Sequence, residues 1–175
     1  ESAAEAYEIL KKRLLSVNDW KNYCDEKSAD FKLYDTNGNP ISRFAQEKDL
    51  IRINIPGPGN PESNGYEWVR IDKLTSTETA PNELESLTII CVPTTDPNQT
   101  QESHISHFYS DLSTSNFRIS RSTSAIKIGV YGRNEKPNMN TNFAGKVRNL
   151  MIAVGGMFGM SKIQWEVFAE KIIDF

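Results

Sequence analysis

The spacing of apolar residues changes twice along this chain, and those changes limit what it can fold into. Near the start, Ala3, Ala6, Tyr7, Leu10, Leu14 and Val17 recur at steps of three and four, which puts them on one face of a helix. Lys11, Lys12 and Arg13 fall in its C-terminal half, where positive charge suits the helix dipole. From residue 30 the period drops to two. Asp30-Phe-Lys-Leu-Tyr34 alternates, and Ile51, Ile53 and Ile55 point one way while Arg52 and Asn54 point the other, as in half-buried strands. Beyond residue 140 the helical period returns, with Phe143, Val147, Leu150, Met151, Val154 and Phe158 on one stripe.

Local chemistry fills in the boundaries. Asn18 and Asp19 are placed to cap a short second helix that holds Trp20 and Tyr23. Asp35-Thr-Asn-Gly-Asn-Pro40 is turn-forming, which predicts a hairpin between 30–34 and 41–44. Pro56-Gly-Pro-Gly-Asn-Pro61 must end a strand, because each proline lacks the N–H of the ladder. Tyr66 to Leu74 alternates again, with Val69 and Ile71 on one face and Trp68 and Arg70 on the other. The nearly continuous apolar run Leu87–Val92 reads as a central strand. Residues 116–120 and 125–131 form a second expected hairpin around Ser122-Thr-Ser124. Ser161 followed by Gln164 has the spacing of a capping box and starts a last helix, with Ile163, Val167, Phe168 and Ile172 expected inward.

These elements make an α+β chain of one domain, 1–175. Its antiparallel sheet of about seven strands is flanked by an N-terminal helix and two C-terminal helices packed on one face. The element order resembles the helix-grip layout of START-like ligand-binding proteins, in which a curved sheet wraps a long C-terminal helix. The doubled helix at each end departs from that layout, and no functional residue carries across from it.

Charge and cysteines narrow the function classes. Twenty Lys and Arg against 23 Asp and Glu give a net charge of -3. That argues against nucleic acid as partner, since such proteins usually present a basic domain. Cys24 and Cys91 are the two cysteines, in no C-x-x-C pair, so both are expected as unpaired thiols. The longest apolar run, Leu150–Met160, is interrupted by glycines and falls short of a membrane span. The chain opens at Glu1 without a charged, apolar leader, so any targeting segment is expected to be absent or already removed, and the cytoplasm is the expected compartment.

Two segments concentrate chemistry. Tyr131-Gly-Arg-Asn-Glu-Lys-Pro-Asn138 is a polar stretch after an apolar strand. As a loop it would let Arg133 clamp a carboxylate or phosphate, with Asn134, Glu135 and Asn138 beside it and the aromatics Tyr131 and Trp68 as packing surface. The segment 102–112 is either a helix or an edge strand. As a helix it sets His104, His107 and Asp111 on one face, the ligand types of zinc or iron. As a strand it sends the two histidines to opposite faces. The G-x-S-x-G, H-E-x-x-H, phosphate-loop and dinucleotide patterns are missing. The one Glu-x-Glu, Glu83-Leu-Glu85, precedes both Ser-Thr-Ser triplets, the wrong order for an ADP-ribosyltransferase. The expectation is therefore a non-enzymatic binding or adaptor domain for a protein partner or small apolar ligand, with no cofactor. The alternative is a small hydrolase or metal-dependent enzyme using His104, His107 and Asp111.

Overall fold

The computed structural model describes residues 2–57, 64–76, 80–99, 113–133 and 160–175. Helix α1 (Ala3–Leu15) begins at a reciprocal cap. The Ser2 hydroxyl accepts the Glu5 N–H while the Glu5 carboxylate accepts the Ser2 N–H. Its buried residues are Ala6, Tyr7, Leu10 and Leu14, the face read from the spacing. A 3-10 helix, Val17–Tyr23, follows in place of the expected short second helix and has no side-chain cap. Asn18 instead reaches across to the sheet. Its Oδ1 accepts from Leu33 N and its Nδ2 donates to Ile41 O, both at 2.8 Å.

Among the described residues, six strands form one antiparallel meander in strict chain order: β1 (Asp30–Tyr34), β2 (Leu50–Asn54), β3 (Glu67–Thr75), β4 (Glu85–Pro93), β5 (Thr114–Arg121) and β6 (Ile126–Arg133). That is one strand fewer than the pattern suggests, and the missing one is 41–44. The turn itself forms. Asp35 Oδ1 accepts from the Asn37 and Asn39 amides at 2.9 Å. Gly38 takes φ +81° there, and a Cβ on it would stand 3.0 Å from Pro97. Only Tyr34 and Pro40 then bridge, because Asn18 takes the Leu33 N–H and the Ile41 carbonyl that the next ladder bond would join. The returning chain peels away instead: Ala45 N bonds Leu15 O at 2.9 Å, and Arg43 forks onto Asp49 at 2.7 and 2.9 Å. The inward side chains Ile51 and Ile53, both fully buried, make β2 the better partner for β1.

One face of the sheet carries the core. Leu33, Ile51, Ile71, Ile89 and Ile119 join α1, the 3-10 helix and the C-terminal helix α2 (Lys162–Ile172) in one apolar cluster. Trp20 sits at its centre, with ring centroids 5.4 Å from Phe31, 4.7 Å from Phe117 and 5.7 Å from Phe168. Its indole N–H donates to Leu14 O at 3.0 Å. Ser161 and Gln164 form the expected capping box at the start of α2. The inward face of α2 differs from the expectation: Trp165, Phe168 and Ile172 are buried, whereas Ile163 is 71 % exposed. The three buried residues share a stripe at steps of three and four, and Ile163 lies roughly 200° round the helix from Trp165. The larger aromatic surface took the inside. Arg13 ties the two helices together by donating to Ile172 O at 2.8 Å and Asp174 O at 2.7 Å.

The expected helix over 143–158 lies outside the described residues, as does 102–112. Cys24 and Cys91 are both free and buried. No helix among the described residues is long and apolar enough to cross a membrane.

Candidate functional site

Alternation along β6 decides where its side chains go. Ile126, Ile128 and Val130 pack toward the helix-covered core, so Lys127, Gly129, Tyr131 and Arg133 face the other way. The expected loop therefore begins later than its composition suggests. Tyr131, Gly132 and Arg133 are strand residues, in register with Asn116, Ser115 and Thr114, because the ladder with β5 satisfies their backbone. Tyr131 is 54 % exposed, and Arg133 is exposed as well. Asn134, Glu135 and Asn138 lie outside the described residues, and so do His104, His107 and Asp111. Among the described residues, no group of three or more His, Cys, Asp or Glu side chains could hold a metal ion.

Trp68 does not join Tyr131. Both occupy the sheet face opposite α1 and α2, but β4 and β5 stand between their strands, a separation of roughly 14 Å at ordinary strand spacing. Trp68 is buried with Tyr34 and Leu50 in a second, smaller cluster, edge-to-face with Tyr34 at 5.0 Å. Arg52 lies over this cluster, 4.1 Å from the Tyr66 ring centroid and 5.3 Å from that of Tyr34. Trp68 is thus packing within that small cluster, and Trp20, Phe117 and Trp165 belong to the main core.

A groove of about 550 Å³ surrounds the β6 edge. One wall is the outer side of the sheet, with Arg118, Lys127 and Tyr131; the other is α2 and its C-cap, with Ala169, Glu170 and Ile173. Glu83 completes it through a bidentate pair with Arg118 at 2.6 and 3.0 Å. Bonding to that guanidinium, with help from Ala80 N–H and the Ser120 hydroxyl, holds the Glu83 carboxyl down at about 2. The pair is fixed charge in the wall, poorly suited to proton transfer near neutrality. Gly129 gives the groove its shape, because the Tyr131 ring lies back over it. A Cβ at 129 would stand 2.5 Å from two ring carbons.

A second depression of about 390 Å³ is lined by Ser16, Asn18, Asp19, Ser42, Arg43 and Phe44. Its cation is already engaged, since Arg43 bonds both Asp49 oxygens and the Phe44 carbonyl. The β6 groove is the better candidate. Reading by loops missed Lys127, Arg118 and Glu83. The alternation of Lys127, Gly129, Tyr131 and Arg133 was the available signal, whereas the Glu83–Arg118 pair depends on strand pairing that one sequence does not display. No family model, curated protein or solved structure matches the chain.

Proposed function

We propose that this chain is a non-enzymatic binding domain that captures an extended segment of a protein partner along β6. The carrying observation is the difference between the two sheet edges. At β1, the Leu33 amide is taken by Asn18, and its carbonyl accepts from Ile41 N. At β6, the strand beyond β5 has no further paired strand among the described residues. An edge of that kind offers unpaired backbone groups to an added strand. The adjoining groove supplies apolar contacts at Ile128, Ala169 and Ile173 and charged ones at its rim. The volume is also within the range of small-ligand sites, but a strand edge with no further paired strand among the described residues favours a polypeptide.

Selection from a displayed random-peptide library tests the reading. Enriched peptides should bind the intact chain and lose about tenfold or more of their affinity to Ala169→Arg, which fills the groove from the α2 side. An unchanged melting temperature would show that the variant is folded. Failure to enrich any peptide, or equal binding to Ala169→Arg, refutes it.

A further inference from the structure

We infer that the segment captured along β6 is acidic, carrying carboxylates opposite Lys127 and Arg133; this rests on the edge-capture reading above. The chain as a whole is net negative, at -3, yet among the described residues the charged strand side chains on the sheet face opposite α1 and α2 are mostly basic. Among the described strand residues, register places Lys32, Arg52, Arg70, Lys73, Lys127 and Arg133 on that face. Only Asp30 and Asp72 oppose them there, and Asp72 is paired with Arg70 at 2.9 Å. Arg118 is neutralised by Glu83. Strand alternation has segregated charge that the composition averages away.

A strand added beside β6 places alternate side chains on this face, next to Lys127, Gly129, Tyr131 and Arg133. Lys127 and Arg133 are six residues apart, about 20 Å along a strand. Carboxylates at the first and seventh positions of the added strand would meet them. Apolar residues between, on the opposite face, would continue the row of Ile128 and Val130. The more distant Lys32 and Arg52 on the same face add long-range attraction that speeds encounter.

The same face is a poor platform for single-stranded nucleic acid, which stacks successive bases on exposed rings. Tyr34 and Trp68 are 7 % and 3 % exposed, and Arg52 covers Tyr66. Tyr131 is the one freely exposed ring on this face among the described residues.

The test compares labelled Glu-Val-Ser-Val-Thr-Val-Glu with its Lys-ended counterpart and with oligothymidylate, all against the intact chain. The acidic peptide should bind at least about tenfold tighter than the Lys-ended one. That preference should shrink with rising salt. The exposed-residue double variant Lys127→Glu/Arg133→Glu should reverse it, capturing the Lys-ended peptide. Equal capture of both peptides, capture of neither, or tighter binding of oligothymidylate overturns the inference. Equal capture that Ala169→Arg abolishes would overturn only the acidic partner and leave edge capture standing.

Discussion

The Tyr131 ring lies back along its own strand over Gly129, so closely that any side chain at 129 would occupy the ring's place. Glycine weakens a strand by roughly 0.5–1 kcal/mol relative to alanine, and covering it with an aromatic ring recovers packing. Gly129→Ala should therefore expel the ring, seen as a changed tyrosine environment by NMR, with a small net change in stability. Tyr131→Ala should remove the conflict, so the double variant should be more stable than the sum of the single changes. Additive effects would show that the two residues do not interact.

Trp20 joins the 3-10 helix to β1, β5 and α2 through three aromatic contacts and one buried hydrogen bond. Trp20→Ala should cost about 3–5 kcal/mol in urea unfolding. Trp20→Phe keeps much of the apolar contact but strips the Leu14 carbonyl of its donor, and should cost about 1–3 kcal/mol. Equal losses for both substitutions would assign the whole effect to volume.

The Glu83–Arg118 pair predicts an acid-side transition. Folded Glu83 titrates at about 2, below the ordinary 4.5. Its stabilising contribution is thus fully present above about pH 4.5 and is lost as pH falls through about 2. Arg118→Gln should return the Glu83 carboxyl toward the ordinary range in an NMR titration and move acid unfolding to higher pH. An unshifted Glu83 titration would mean that the guanidinium is not its principal partner.

Both thiols should be inert in the native protein. Burial pushes Cys24 up to about 11 and Cys91 up to about 12, so neither supplies much thiolate at mildly alkaline pH. Iodoacetamide should label neither until denaturant is added, and mass spectrometry should then find both modified. Rapid native labelling of Cys91 would require an opening of the central strand.

Arg13 is predicted to hold the last turn of α2. Arg13→Lys keeps the charge but cannot fork onto two carbonyls. Hydrogen exchange at residues 170–174 should quicken in this variant, while exchange in β3 and β4 stays slow. Uniform protection throughout would show that α2 is anchored by its buried face alone.

The parts of the fold legible in sequence were those decided by short-range physics. The Ser161–Gln164 capping box, the inward Ile51 and Ile53, the central β4 and the β5–β6 hairpin follow from local spacing. Pairing choices were less accessible. Asp35–Asn39 has the composition of a hairpin turn and forms one, yet Asn18, inserted between Leu33 and Ile41, and the Arg43–Asp49 fork direct the return strand out of the sheet. In α2 the apolar residues compete for one face, and only the partners Phe31 and Phe117 decide that Trp165 goes inward and Ile163 outward. The candidate site was half visible. Tyr131 and Arg133 were singled out as loop residues, but the neighbours that make a groove, Arg118 and Ala169, come from β5 and α2, far apart in sequence.

A meander sorts its connections by parity. Links that follow odd-numbered strands leave from one end of the sheet, and links that follow even-numbered strands leave from the other. The register pairs Ile53 with Glu67, Val69 with Pro93 and Thr114 with Arg133, so the exits after β2, β4 and β6 share an end. The proline-rich excursion after Asn54, the histidine-bearing one after Pro93 and the asparagine-rich one after Arg133 are thus tethered side by side, although they are scattered along the chain. That end of the sheet thus anchors three stretches that lie far apart in the sequence.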